Sequence, residues 1–442
     1  MNVQWMVLLA LALQGPSALR DAETLTLAQA EQKALTASPA LQAARMEATA
    51  ARSRTAATFG RHFGELSLVG TYNRYELDRL VVPMAKELLV NPALGLSQLP
   101  WDRNQVHYGL MWQIPLLASG SLYEGDRIAR LSQSVSEHLA LHAQDEVLYN
   151  VRASYRNALI TKHALEAARS YQEALEKDEA DAQLKVKIGA MAEVDAAKVT
   201  FALRGAEAQT AAFAAQREVA QAYLAALLGE ESPAAGFELS DLPDEPSSPF
   251  ASPAEDTRAA LVGRGDLLAV REGTRIVQHK KHLTLEAFTP QLVLQGTYLR
   301  NDAPSLGEPL DTREWALLLK LPLFDGLTRA FSVREANANL LAARQRERAK
   351  ELEIATQVVD AEGRLSSAKA LYLAGRAQRG LGHEVARVEH LKLEQGTGRM
   401  EDYLTARGQE LAGETAYWRG LYSYQSAVDY LAFVTARGGS HE

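Results

Sequence analysis

Few residues of this sequence stand at spacings that chemistry requires. His138 and His142 lie four apart, as two metal ligands on one helical turn do. No third ligand accompanies them, so a solvated or seam histidine is the simpler reading. His279-Lys280-Lys281-His282 reads as a polar helix face. Tyr417, Trp418, Tyr422, Tyr424 and Tyr430 read as helix packing and an interfacial collar rather than a ligand box. A nucleophile elbow, a P-loop, a Gly-rich dinucleotide turn and the His-Glu-x-x-His pattern are all missing. Cysteine is absent, which removes disulfides, thiolate metal sites, a thiol nucleophile and a lipid-bearing Cys. No enzyme, cofactor or metal is therefore expected. What remains is a pair of acids, Asp195 and Asp402, each six residues after a glycine, Gly189 and Gly396. Glycine ends helices and an acid suits the first turn of the next one, so each pair marks a tight turn between helices.

The 442 residues are 47% apolar and 23% charged, enough for a large core and unlike a disordered chain. A net charge of −8 leaves no basic footprint for nucleic acid. The longest apolar run, 5–13, is too short for a membrane-spanning helix of about 20 residues. It fits the core of a secretory signal over 1–22, with a buried N-terminal helix as the other reading.

The elements that must position these residues follow two periodicities. Ala, Leu, Glu, Gln and Arg dominate from Thr24 onward and predict long helices. Residues 24–61 read as helical with one break at Ser38-Pro39, and 119–187 contains no proline. Along the latter, Ile128, Leu131, Val135, Leu139, Leu148, Val151, Tyr155 and Leu159 form a narrow apolar seam of the coiled-coil kind. Such a helix is on the order of 100 Å long. Four segments instead alternate with period two. In 105–114, Val106, Tyr108, Leu110, Trp112 and Ile114 alternate with Gln105, His107, Gly109, Met111 and Gln113. In 313–321 the alternation runs through Trp315, Leu317, Leu319 and Leu321, and Leu66, Leu68, Gly70 and Tyr72 match Leu292, Leu294, Gly296 and Tyr298. About ten residues with one aromatic-bearing apolar face is the length of a tilted membrane strand, although a soluble half-buried sheet alternates likewise.

The chain is also duplicated. Gly70-Thr71-Tyr72 returns as Gly296-Thr297-Tyr298, an offset of 226, whereas Ile114-Pro115-Leu116 returns as Leu321-Pro322-Leu323 at 207. Gly189 and Asp195 return as Gly396 and Asp402, again at 207. The first copy is thus 19 residues longer between its strands, in a loop over 73–104 that carries an apolar stretch at 88–96. The expected organisation is a signal at 1–22, a first repeat at 23–230, a proline-rich join at 231–255, a second repeat at 256–437 and a tail at 438–442. Each repeat holds a helix, two strands and a long helical hairpin.

This arrangement resembles the TolC-type outer-membrane efflux proteins over nearly the whole chain, from about Leu25 to Val434. The resemblance rests on Leu25-Thr26-Leu27, Ser38-Pro39-Ala40-Leu41, Arg264-Gly265-Asp266-Leu267, strands ending at Pro115 and Pro322, and the two Gly-(x)5-Asp turns, all in order. It implies a mainly α fold with β, in which four strands per chain build a trimeric 12-stranded β-barrel continued by an α-helical barrel. It implies a passive exit duct in the cell outer membrane, extending into the periplasm, with a periplasmic adaptor and an inner-membrane pump as partners. Four strands cannot close a barrel and open edges are not tolerated in lipid, which independently requires several chains. Val106, Tyr108, Leu110, Trp112, Leu292, Leu294, Tyr298, Trp315, Leu317 and Leu319 would face lipid. Gln105, His107, Gln113, Gln291, Gln295 and Lys320 would line water. By the resemblance, Ile188-Gly189-Ala190 and Gln395-Gly396-Thr397 would dock the adaptor, and Asp195 and Asp402 would form the periplasmic gate. Thr405 stands where the family often has a second acid, and Arg399 falls one place late, with Gly398 in its stead. A soluble periplasmic coiled-coil scaffold is the alternative reading.

Overall fold

The computed structural model describes residues 24–82, 99–118, 120–230, 237–243 and 252–437. The expected signal at 1–22, the apolar stretch at 88–96, much of the join (231–236 and 244–251) and the tail lie outside the described residues. In order, the elements are β1 (Thr24–Leu25), α1 (Leu27–Ala37), α2 (Pro39–Gly60), a 3-10 turn (Arg61–Phe63), β2 (Glu65–Leu80), β3 (Trp101–Ala118), α3 (Ser121–Lys187) and α4 (Glu193–Leu227). There follow β4 (Glu238–Leu239), α5 (Pro253–Gly263), α6 (Gly265–Glu286), β5 (Gln291–Asp302), β6 (Leu310–Lys320), α7 (Thr328–Glu394) and α8 (Met400–Val434).

Local chemistry explains the helix starts. Thr26 and Gln29 form a capping box, the Thr26 hydroxyl accepting from the Gln29 amide while the Gln29 side chain accepts from the Thr26 amide. Ser38 is extended (ψ 116°) because Pro39 disfavours a helical predecessor, and Pro39 then opens α2 where no N–H is needed.

The duplication extends to element length. α3 and α7 have 67 residues each, α4 and α8 35 each, and both pairs keep the offset of 207 (328 − 121 and 400 − 193). α1 and α2 return as α5 and α6 at 226 (253 − 27 and 265 − 39). Even backbone conformation repeats. Left-handed φ values at Gly120, Gly189 and Gly229 return 207 positions later at Leu327, Gly396 and Ala436.

The strands depart from expectation in two places. β3 does not end at Pro115 but runs to Ala118, and its ladder with β5 shifts between Pro115 and Leu117. A proline without an N–H is accommodated at such a bulge. The loop at 73–104 is partly strand: β2 continues to Leu80 and β3 begins at Trp101, with an irregularity between Arg74 and Arg79.

The chain forms two compact units, each drawing on both repeats. One comprises residues 45–139 and 265–350 and contains the four-stranded antiparallel sheet, ordered β2-β3-β5-β6. The other comprises 1–44, 140–264 and 351–442 and contains the main hydrophobic core. There Val151, Tyr155 and Leu159 of the seam are fully buried with Leu41, Leu224, Leu421 and Tyr422. The upper seam is shallower, for Ile128, Leu131 and Val135 are half-buried and Leu139 is exposed. Tyr417, Tyr422 and Tyr424 are buried in this helical core, as the helix-packing part of the expectation has it, and do not form the expected interfacial collar. Tyr155 also pins the two-residue parallel pair β1–β4, its hydroxyl lying 2.7 Å from the carbonyl oxygens of both Leu25 and Ser240.

Candidate functional site

The first candidate surface is the sheet. Directly opposed residues of an antiparallel ladder share a face, so the register sorts every side chain. Leu66 opposes Trp112, Leu68 opposes Leu110 and Tyr72 opposes Val106. Leu110 in turn opposes Tyr298, Ile114 opposes Leu294, Leu294 opposes Leu317, Leu292 opposes Leu319 and Gly296 opposes Trp315. Tyr108, opposite Gly70, completes the set. All ten residues expected to face lipid therefore lie on one face of one sheet. Those of β3 and β6 are exposed, from 39% at Val106 to 67% at Trp315. Gly296 lets Trp315 lie across it, since a Cβ there would sit 2.6 Å from the indole ring. Toward one end this face turns charged through Arg300, Asp302, Asp311 and Arg313, where the Tyr298 hydroxyl donates to Asp311 at 2.8 Å.

The opposite face carries the polar pairs, although Val293 and exposed Leu318 also oppose one another on it. His107 meets Asn301 Oδ1 at 2.7 Å, Gln113 donates to Gln295 at 3.1 Å, and Gln291 opposes Lys320. Gln105 shares this face but is buried, and its amide donates to the carbonyls of Arg79, Leu80 and Asp102. It secures the irregular end of β2 rather than lining water, which corrects its expected role. β2 and β6 are the outer strands, and among the described residues neither has a second strand partner.

The second candidate surface is the pair of helix turns. Gly189 has φ +77°, its amide reaches the Val186 carbonyl at 3.0 Å, and the Ala190 amide reaches that of Lys185 at 2.8 Å. Gly396 (φ +73°) repeats the pattern, with its own amide on Leu393 and that of Thr397 on Lys392. These are Schellman closures, which need a left-handed residue at this position. A Cβ at either glycine would meet nothing within 4 Å. Backbone conformation, not crowding, therefore selects glycine. Gly398 differs: its Cβ would lie 2.9 Å from the Leu393 amide nitrogen, which explains why no Arg stands there. The first turn presents Leu184, Ile188 and Val194, each at least 60% exposed, beside exposed Lys185 and Lys187. The second presents exposed Gln395 and Thr397.

Asp195 and Asp402 both occupy the third position of their helices, α4 and α8, where the helix dipole favours an acid. Asp195 is held by Lys198 at 3.1 Å. Asp402 is exposed and has no salt bridge among the described residues. The two acids expected to act alike thus differ: one is partnered and one free.

Sequence reasoning missed a third cluster. Glu124, at the start of α3, is buried, and its carboxylate meets His279 Nδ1 at 2.5 Å and His282 Nδ1 at 3.7 Å on α6. The histidines of the expected polar helix face therefore converge on a buried acid from another element. The signal available was the i, i+3, i+7 spacing of His279, His282 and Glu286, which aligns them on one helix stripe. His142 instead stacks on Phe433, with ring centroids 5.7 Å apart.

Comparison with known proteins completes the picture. No family model and no curated protein matches this sequence. Solved structures do. A membrane protein from Pseudomonas aeruginosa superposes with a TM-score of 0.79 at 20% identity, covering 92% of this chain and 93% of its own. The Campylobacter jejuni CmeC outer membrane channel gives 0.79 at 17% identity, over 94% and 87%. The open state of the Neisseria gonorrhoeae MtrE outer membrane channel gives 0.73 at 17%, over 93% and 89%.

The fold is that of the TolC-type outer-membrane channels. Within that TolC-type fold, the sheet presents two unlike faces, and the Schellman turns are exposed ends of the long helices.

Proposed function

We propose that this chain is one of three subunits of an outer-membrane exit duct serving a tripartite efflux or type I secretion system. The observation that carries the proposal is the sheet: one apolar, aromatic face, an opposite face that carries the polar pairs, and two outer strands without second partners among the described residues. In lipid an unpaired strand edge leaves backbone groups unsatisfied, so β2 and β6 must pair with neighbouring copies. Three chains with four strands each give a 12-stranded β-barrel. Val106, Tyr108, Leu110, Trp112, Leu292, Leu294, Tyr298, Trp315, Leu317 and Leu319 then contact lipid, and the long helices continue the barrel into the periplasm as an α-helical barrel.

In this reading the chain consists of two structural repeats, 23–230 and 256–437, behind a signal at 1–22. The turns at Ile188-Gly189-Ala190 and Gln395-Gly396-Thr397 dock a periplasmic adaptor, and an inner-membrane pump supplies the energy. The duct does no chemistry. Asp402, which has no salt bridge among the described residues, supplies negative charge to the tunnel mouth, where three symmetry copies repel one another and attract cations. Asp195, neutralised by Lys198, contributes less.

The test is ion conductance of the detergent-purified protein in a planar bilayer, beside Asp402→Ala. Cation-selective channels whose selectivity or conductance changes in the variant support both duct and gate. Channels indifferent to the substitution retain the duct and reject Asp402 as the gate. A species that stays soluble without detergent and never inserts rejects the proposal.

A further inference from the structure

We infer that Glu124, His279, His282 and Glu286 form a binding site for a divalent transition-metal ion of the zinc class. Three side chains from two helices, those of Glu124, His279 and His282, each present one ligand atom, and these atoms lie within 4.8 Å of one another. Among the described residues no other group of His, Asp or Glu side chains converges in this way. Glu286 lies one turn beyond His282 on the same stripe of α6. Its Oε2 is buried without a hydrogen-bond partner, in space that a side chain at position 120 would fill. Gly120 thus leaves room for a second carboxylate.

The charge balance points to a cation. Among the described residues neither Glu124 nor Glu286 meets a lysine or arginine, although Glu124 is only 6% exposed. A buried carboxylate needs compensation, and a second acid beside it makes the need greater. Two imidazoles and the Glu124 carboxylate, with Glu286 one turn away as a fourth donor, are the donor set of a borderline-soft divalent ion, with nitrogen at about 2.0–2.1 Å and oxygen at about 2.0–2.2 Å. His282 is 44% exposed at its side chain and free to close the 3.7 Å gap to Glu124. The duplication supplies an internal contrast. The positions 226 residues before His279, His282 and Glu286 hold Ser53, Ala56 and Gly60, and the position 207 after Glu124 holds Phe331. None of these is a ligand. The site belongs to one repeat alone and is not a by-product of the duplicated architecture.

The test uses the full-length protein, purified in detergent and stripped with a chelator, then titrated with zinc. Bound zinc is counted after gel filtration, and folding is checked by circular dichroism. The parent retains about one ion per chain, and the double variant His279→Ala/His282→Ala retains about none. Lys280→Ala/Lys281→Ala keeps the parental stoichiometry. Should the double variant fail to fold, His282→Ala alone still reports, weakening zinc binding by at least about tenfold. Equal zinc retention by parent and folded histidine variants overturns the inference. So does a parent that retains none, the cluster then being a plain hydrogen-bonded contact of a carboxylate with two imidazole rings.

Discussion

Gly396 and Tyr155 show how single residues carry different kinds of constraint. At Gly396 the constraint is conformational, because φ is +73° and the space around it is open. Gly396→Ala keeps every contact yet forces a left-handed alanine, at a cost of about 1–2 kcal/mol. A lowered thermal midpoint with unchanged secondary structure is the expected result. Its repeat-mate Gly189 should behave alike, since both close their helices by the same two amide–carbonyl bonds. At Tyr155 the constraint is polar satisfaction. Tyr155→Phe deprives the Leu25 and Ser240 carbonyls of a donor and should cost about 1–3 kcal/mol in denaturant unfolding. Burial, with smaller opposing and reinforcing effects from Ser240 and Asp241, pushes the Tyr155 hydroxyl from 10.0 up to about 12. A phenol raised in the folded state stabilises the fold fully below its unfolded value. That contribution is lost as the pH climbs from about 10 to about 12. Denaturant midpoints measured across this window should fall less steeply in Tyr155→Phe than in the parent.

For the elements, the sheet is where position along a strand decides consequence. Leu317 opposes Leu294 on the apolar face, whereas Gln295 opposes Ala316 on the polar face. In a membrane barrel, Leu317→Arg places a charge in hydrocarbon and costs about 2–4 kcal/mol near the bilayer centre. Gln295→Lys places its charge in water. The fraction of each variant recovered folded from lipid vesicles distinguishes them, and equal recovery would contradict the membrane role of this face. The long helices obey a different rule. Their seam is deep where α3 packs against several elements, at Val151, Tyr155 and Leu159, and shallow at Leu139. Core truncations should therefore be costly in the first group and mild at the second.

For the whole molecule, the expected property is a charged path. Net charge is −8 and Asp402 is exposed without a salt bridge among the described residues, so the proposed duct should favour cations at low salt. Exposed charges are screened as the Debye length falls from about 10 Å at 0.1 M to about 3 Å at 1 M. Cation selectivity in bilayer recordings should thus decline as salt rises, and more steeply in the parent than in Asp402→Ala. Selectivity independent of salt would place the determining charges in a buried constriction elsewhere.

Much of this molecule was legible before folding because its signals are periodic and repeated. Alternation in 105–114 and 313–321 announced strands with two unlike faces, and the constant offset of 207 announced long helical hairpins of matched length. Those features depend on backbone period and spacing, which a linear chain carries by itself. Pro115 misled, because a proline stops a regular strand but is tolerated at a bulge, and only the partner strand determines which occurs. Gln105 misled for the same reason, its amide being claimed by carbonyls of β2. The meeting of Glu124 with His279 and His282 was likewise invisible, because it depends on which side chains from distant segments come within a few ångströms. Spacing along one chain does not encode that; the packing of helices against each other does.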